Sequence, residues 1–472
     1  MYEKKDDDNS DMASLFEPES IAIIGATPNR GKIGYSICEY LQASSARKYY
    51  VNPGYETVWG EKCYASVLDI KGSIDLTIIA TPSFTVLDIM KDVVKTSSKS
   101  IIVVSSGFGE TGTAGKEAER KMLEMVRKSG KRMLGPNTLG LYFPWRNLNT
   151  MFLTLDRMKL PPKGKIAFVS QSGSVAAVQM DYASEHNIGF SGFVGLGNKV
   201  DINENDALKY FINHDETGVI SFYLEDFRNA REFLELSKNS DKPIVVLKAG
   251  RNPGAARAVA SHTGSMAGPD RIVNAALKQN GIVRAFDEEE LLDFSRALSY
   301  PIRMKGKRVA IISNAGGCNI ISADYVEEKD TRGKLELAEF SDETHEIIKS
   351  VIFDFASYHN PVDLTVGAPT EMYDKVLDIV KKDDNVDAIL FLALFQAAQI
   401  DDNFYEIVRK HSLNSDKPLV VVTLGGEYSS KMIRKFEKDG VLVFPSISRG
   451  VRALRIMSYY NSIKYYNSIK SH

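Results

Sequence analysis

The chain is poor in the residues that would announce its chemistry. Among 472 residues there are three cysteines, seven histidines and two tryptophans. Cys38, Cys63 and Cys318 are far apart, with neither CxxC nor metal-ligand spacing. That excludes a disulfide framework and a zinc site, so no metal is expected on this chain, and it favours a reducing cytoplasm. No apolar run approaches the roughly 18 residues of a membrane helix, and the start, MYEKKDDDNSD, reads as a charged, frayed tail and not as a signal peptide. Charge of one sign is lacking too. Lys and Arg number 59 against 61 Asp and Glu, so there is no electrostatic case for nucleic acid or an anionic membrane. A soluble, cytoplasmic globular protein remains, long enough for roughly three domains.

Short β-branched runs alternate with longer amphipathic segments: IAIIGA (21–26), LTIIAT (76–81), SIIVVSS (100–106), KIAFVS (165–170), GVISFYL (218–224), PIVVLK (243–248), RVAIIS (308–313), AILFLAL (388–394) and PLVVVTL (418–424). Strand-then-helix repetition predicts parallel sheets in an α/β fold. PPKG at 161–164 and PIRMKGK at 301–307 mark boundaries. Three domains are expected, near 12–150, 160–300 and 305–462.

The second and third of these read as copies of one unit. KIAFVSQSGSVAAVQMDYA (165–183) matches RVAIISNAGGCNIISADYV (308–326), and Asn198-Lys199-Val200-Asp201-Ile202 matches Asn360-Pro361-Val362-Asp363-Leu364. Asn239 to Pro243 recurs identically at Asn414 to Pro418. If Gly281 matches Gly440, the third domain is 16 residues shorter where the second carries SHTGSMAG (261–268). Aligning Leu224 with Leu392 and Phe227 with Phe395 puts Ala393 in place of Glu225. One copy thus has a histidine loop and a carboxylate that the other lacks, which places a site on the second domain.

The turn FVSQSGS (168–174) joins a strand to a helix and offers free backbone N–H groups and a positive helix end to an anion. SHTGSMAG runs similarly into PDRIVNAALKQN, whose Pro269 suits a first helical turn. Two helix N-termini would then flank the His262 imidazole, with Glu225 able to hold its tautomer; phosphate acceptance on the ring nitrogen needs that environment. A surface-loop histidine bonded to a neighbouring hydroxyl is the other reading. In the first domain, IAIIGATPNRGKIGYSICEYL (21–41) is a strand, a glycine-bearing loop and a helix, with Gly25, Gly31 and Gly34 spaced more widely than GxGxxG; it reads as a nucleotide-like phosphate cradle, with a mere tight turn as the other reading. The next strand, KYYVNP, ends in Asn52-Pro53 where a nicotinamide dinucleotide usually meets an acid, which disfavours NAD.

SIAIIGATPNRGKIGYSI, VNPGYETVWG, GPNTLG (135–140), FVSQSGS, YLED (223–226) and KAGRNPGAARAVASHTGSMAGPD (248–270) together resemble the NDP-forming acyl-CoA synthetases, relatives of succinyl-CoA synthetase, and within them the α subunits of archaeal-type ADP-forming acetate–CoA ligases. The resemblance spans nearly the whole chain after about residue 14 and implies a Rossmann-like CoA-binding domain followed by two flavodoxin-like domains. It implies that His262 is transiently phosphorylated and supported by Glu225, and that Ser170, Gln171, Ser172 and Gly173, with Gly264 and Ser265, hold the phosphoryl group. Gly25, Thr27, Gly31 and Gly34 would line the CoA phosphates, beside Asn52 and Pro53, and Asn137 would border the acyl or thiol pocket. Gly54 departs from the pattern, where a basic residue is expected. The family's ATP-grasp module is not legible after residue 300, so the resemblance implies a separate β subunit binding ADP or ATP and Mg, in a heterotetramer of two α and two β subunits. The implied reaction converts acyl-CoA, phosphate and ADP reversibly into acid, CoA and ATP through an acyl phosphate and a phosphohistidine. Two rival readings are a non-catalytic CoA-sensing module of the same fold and an NAD-linked dehydrogenase. Intact His262 and Glu225 argue against the first, and the missing ribose acid against the second. The tail repeats YYNSIK at 459–464 and 465–470, read as an extension of the last helix with no chemistry assigned.

Overall fold

Each of the nine apolar runs forms a buried parallel strand, because strands covered by helices on both faces have no solvent side and need no polar alternation. The computed structural model describes residues 10–263 and 269–470. A first sheet holds β1 (Ser20–Ile24), β2 (Arg47–Val51), β3 (Thr57–Val58), β4 (Glu61–Tyr64), β5 (Leu76–Ile79), β6 (Ser100–Val103) and β7 (Arg132–Leu134), in the order β3-β4-β2-β1-β5-β6-β7. All pairs are parallel except β3 with β4. The chain leaves β1 toward β2 and then crosses to β5, which opens a crevice at the carboxyl ends of β1 and β5.

A second sheet holds β8 (Leu141–Phe143), β9 (Leu148–Asn149), β10 (Lys163–Ser170), β11 (Phe190–Gly195), β12 (Val219–Leu224), β13 (Ile244–Lys248) and β14 (Val283–Ala285), ordered β14-β13-β12-β10-β11-β8-β9. A third holds β15 (Arg308–Ser313), β16 (Glu336–Leu337), β17 (Val362–Asp363), β18 (Ala388–Ala393), β19 (Leu419–Thr423) and β20 (Val443–Phe444), ordered β16-β15-β18-β19-β20 with β17 also on β15. The first two sheets share one compact unit and the third forms another; the division falls between Glu288 and Glu289, except that Glu185–Ile188 group with the third sheet. Two features run against the expected boundaries. Strands β8 and β9 precede residue 150 yet belong to the second sheet. The helix Glu288–Ser299, expected to close the second domain, packs from Glu289 onward with the third sheet. Its buried Glu290 and Asp293 pair there with Arg332 at 2.6 Å and Arg449 at 2.7 Å. No described helix is long and apolar enough to cross a membrane.

The repeat is real in three dimensions, since β14-β13-β12-β10-β11 and β20-β19-β18-β15-β16 trace the same path. The Asp-Lys-Pro strings are true equivalents. Ser240 Oγ donates to Lys242 O at 2.9 Å and Ser415 Oγ to Lys417 O at 2.7 Å, while Pro243 O and Pro418 O accept from Ile220 and Ile389, each at 2.9 Å. Two expected matches shift. Asp363 pairs with Ser313 as Gly195 pairs with Ser170, so Asn360–Leu364 corresponds to the end of β11. Asn198–Ile202 lies beyond that end and bonds to the 133–136 segment, Asn198 N to Pro136 O at 2.9 Å and Ile202 N to Met133 O at 3.0 Å. Ser170 pairs with Tyr223 as Ser313 pairs with Leu392, which makes Leu394, not Ala393, the counterpart of Glu225. Hydrogen-bond register fixes equivalence where a short string match cannot.

The 16-residue shortfall is a helix. After β13 the second sheet has helices Pro253–Thr263 and Asp270–Gln279, whereas after β19 the third has the single helix Glu427–Lys438. The tandem YYNSIK lies in the final helix, Ile447–Lys470.

Candidate functional site

At the end of β1 the chain turns so tightly that only glycine fits. Gly25 has φ +92°, and a Cβ there would lie 2.5 Å from Ala80 O; a Cβ on Gly34 would lie 2.0 Å from Gly25 O. This brings the helix Ile33–Tyr40 down onto the strand end. Its N-cap, Lys32, makes no side-chain capping bond, which leaves first-turn N–H groups for a ligand. Gly31, at φ +83°, completes the loop. Tyr55 braces it: Thr27 Oγ1 donates to the Tyr55 hydroxyl at 3.2 Å, and Asn29 Nδ2 does so at 3.0 Å. Asn52 Nδ2 donates to Ala26 O at 2.8 Å, and its Oδ1 accepts the N–H of Gly54 at 2.9 Å. The result is a cavity of about 560 Å³ lined by Gly25, Thr27, Gly31, Lys32, Gly34 and Asn52 and reaching Ser105 and Ser106 on the loop after β6. A second cavity of about 450 Å³ shares Gly25 and Asn52 and adds Pro53 and Ser66. Lys32 and Tyr55 were not singled out from the sequence, although both lie inside the motifs NRGKIG and VNPGYE.

Asn137 links this cavity to the second sheet. It follows the cis Gly135–Pro136 bond at φ +59°, and its N–H donates to the carbonyl of Ser105 at 2.9 Å. Its Nδ2 donates to Asn198 Oδ1 at 3.2 Å, and Asn198 Nδ2 in turn donates to Glu110 Oε2 at 2.6 Å and Glu119 Oε1 at 2.7 Å. Burial works to raise the Glu110 carboxyl, but the N–H of Gly107 and the Asn198 amide outweigh it and hold it below the usual carboxylate range.

At the carboxyl end of the second sheet, the turn after β10 is bound tightly into itself. Ser170, 1% exposed, donates its hydroxyl proton to Ser172 O at 2.7 Å, a bond within the turn. Gln171 Nε2 donates to Asp226 Oδ1 at 2.8 Å, while its Oε1 accepts the N–H of Glu225 at 2.9 Å and of Asp226 at 3.3 Å. These bonds use the side chain that was expected to touch phosphate. Ser172 Oγ accepts from Val175 N at 3.3 Å and lies 3.1 Å from Ser174 Oγ. Gly173 and Ser174 are the exposed part of the turn, at the N-terminus of the helix Gly173–Glu185. Glu225, 9% exposed, follows β12 directly.

Position 262, expected on a loop, falls in the last turn of the helix Pro253–Thr263. That helix passes within 8 Å, Cα to Cα, of the Gly109–Thr111 turn that carries Glu110. The His262 side chain, and Gly264 and Ser265 entirely, lie outside the described residues. Pro269 is the N-cap of the following helix and not its first helical residue. Asp270 opens that helix and is ion-paired to the buried Arg284 guanidinium, so a carboxylate already faces part of this helix end.

The four charged residues here have uncharged partners in the repeat, while the Gln171 amide is matched by another amide. By register, Gln171, Glu225 and Asp226 correspond to Asn314, Leu394 and Phe395, and Lys248 and Arg284 to Thr423 and Val443. The third sheet keeps the scaffold without these charges.

Residues 19–144 match the CoA binding domain family, and residues 163–298 match the succinyl-CoA ligase like flavodoxin domain. The chain is 36% identical over 434 residues to the α subunit of ADP-forming acetate–CoA ligase II of Pyrococcus furiosus, covering 90% of this chain and 93% of that one. It is 34% identical over 452 residues to the ADP-forming 4-hydroxybutyrate–CoA ligase of Nitrosopumilus maritimus, a longer protein of which the match covers 63% and which covers 94% of this chain. The dinucleotide-forming acetyl-coenzyme A synthetase 1 of Ca. Korarchaeum cryptofilum, solved with phosphate and ADP, superposes with a TM-score of 0.89 at 32% identity, covering 98% of this chain and 99% of that one.

Proposed function

The chain belongs to the ADP-forming acyl-CoA ligases, among their α subunits, and on that footing we propose that it performs the acyl-CoA and phosphohistidine steps of the ligase reaction. Phosphate attacks the thioester carbon, the CoA thiolate leaves and is protonated, and an acyl phosphate forms. The His262 ring nitrogen then takes the phosphoryl group and the carboxylate acid departs. Glu225 balances the charge that develops on the imidazole. The phosphohistidine passes its phosphoryl group to ADP, with Mg, on a separate ATP-grasp β subunit. Two α and two β subunits are the proposed assembly, working in the cytoplasm, where these substrates meet. The CoA phosphates would rest on the N–H groups and lysine of the Gly25–Gly34 cradle, with Asn137 and Ser105 toward the thiol. Gly173 and Ser172 would contact the phosphoryl group, together with Gly264 and Ser265.

The observation that carries this reading is the asymmetry of the repeat. The helix that holds position 262 and the carboxylate at 225 occur only in the second sheet, although the third reproduces its strand order. A purely structural role would leave both in both copies. A regulatory CoA sensor needs neither. The test is CoA release by the chain with its ATP-grasp partner, dependent on ADP and phosphate, across acetyl-CoA and branched, aryl and hydroxy acyl-CoAs. Turnover of at least one is expected; CoA binding without turnover of any would support the sensor instead.

A further inference from the structure

Lys199 is the least expected charge in the second sheet's neighbourhood. In the sequence it served only as part of a repeat string. In the fold it sits at φ +53° with 2% of its surface exposed. Its ammonium is surrounded by oxygens: Glu204 Oε2 at 3.1 Å, Asp226 O at 2.9 Å and Asp226 Oδ1 at 2.7 Å. Glu204, itself 0% exposed, uses its other oxygen to accept the N–H of Arg228 at 2.5 Å. Gln171 accepts the two N–H groups just before these points, those of Glu225 and Asp226. The backbone from Glu225 to Arg228 is therefore fixed at successive positions by one amide and one buried ion triad.

Burying three charges is costly, and a buried ion network is often no more stabilising than neutral residues of the same size. The third sheet shows that the fold does not require it. There the Asn314 amide secures the equivalent strand end without a charge, with Oδ1 accepting Leu394 N at 3.0 Å and Nδ2 donating to Leu394 O at 3.1 Å. The ring of Phe395, packed in the apolar core, replaces Asp226. The charged clamp occurs where the strand end carries Glu225.

We infer that Lys199 and Gln171 are positioning residues for Glu225, the buried Lys199–Asp226 pair and the Gln171 amide holding the strand end so that the carboxylate meets the imidazole in one orientation. This rests on the phosphohistidine reading. Each residue acts through the backbone at 225 and 226, not on the phosphoryl group. Side chains held by a second layer of bonds lose less on reaching a reactive geometry, and small misplacements cost large factors in rate.

The experiment follows label from 32P-phosphate into the full chain, as initial rates over a range of phosphate concentrations, with the acyl-CoA of the panel above that labels the wild-type chain fastest. Gln171→Met removes the amide bonds and leaves every buried charge paired. The triple variant K199M/E204Q/D226N removes the triad together, so that no lone charge is left buried. For both, the saturating rate should fall by about tenfold or more, with the half-saturating phosphate concentration, melting curve and CoA affinity close to wild type. Wild-type rates in the folded variants would overturn the inference. So would a Gln171→Met effect confined to the half-saturating phosphate concentration, which would make Gln171 a direct ligand. Should the triple variant not fold, Gln171→Met decides alone. If the wild-type chain itself takes no label, the phosphohistidine reading fails and this inference fails with it; a loss or its absence in the variants speaks to the inference only.

Discussion

Gly34 faces the carbonyl of Gly25 so closely that a Cβ on it would stand 2.0 Å from that oxygen. Gly34→Ala must therefore push the helix Ile33–Tyr40 off the strand end and spoil the cradle that its first turn forms. Gly31→Ala meets nothing within 4 Å and bears only the strain of φ +83°, on the order of 1 kcal/mol. Calorimetry on the full chain should find that Gly34→Ala loses CoA binding while Gly31→Ala keeps it within about tenfold, given 1.4 kcal/mol per decade. Equal affinity in both variants would remove the cradle from the CoA site.

The same titrations separate cofactors. Asn52, at the end of β2, spends its side chain on Ala26 O and Gly54 N and presents no carboxylate to a ribose. CoA should bind and NAD should not; NAD binding without CoA binding would reverse the assignment.

Glu110 offers a test by pH. Its folded-state carboxyl lies below the ordinary range, so its contribution to stability is present above the unfolded pKa of about 4.3 and is lost as pH falls through the lower folded value. Thermal melts at about pH 7 and pH 3.5 should show Glu110→Gln less stable than wild type at the higher pH and the difference shrinking at the lower one. A gap that widens on acidification would contradict the bonds drawn from Gly107 and Asn198.

The isolated chain should make no ATP from acyl-CoA, phosphate and ADP, whereas adding the ATP-grasp partner should restore it. Sustained ATP synthesis by the chain alone would refute the division of labour.

Much of this architecture could be read from residues because parallel strands are apolar on both faces. All nine apolar runs became strands, RVAIIS over its full length as Arg308–Ser313. Strand β11 escaped notice because FSGFVG breaks that pattern with glycines; Gly192 is small because a Cβ would meet the Phe143 ring at 2.7 Å, a tertiary reason invisible along the chain. The helical state of position 262 was hidden similarly, since AVASHTG carries small residues that favour neither loop nor helix strongly by themselves. The repeat was legible, but its register was not. NKVDI and NPVDL match as strings, while the hydrogen bonds of Ser170 and Ser313 place them differently. Gln171 shows the same limit at the site: glycine- and serine-rich turns signal an anion, yet nothing in SQSG tells which side chain faces it and which braces Glu225.

The central claim is that His262 carries the phosphoryl group, and the most direct measurement is the chemistry of the bond it would form. The full chain incubated with 32P-phosphate and the panel of acyl-CoAs in turn should acquire acid-labile, base-stable label from at least one, as a phosphoramidate does and a serine ester does not. His262→Ala should take none while binding CoA as wild type does, because the Gly25–Gly34 cradle belongs to the first sheet. Glu225→Gln should be labelled more slowly by a factor of order 10². Label that persists at wild-type level in His262→Ala would contradict the account and return His262 to the role of an ordinary surface histidine.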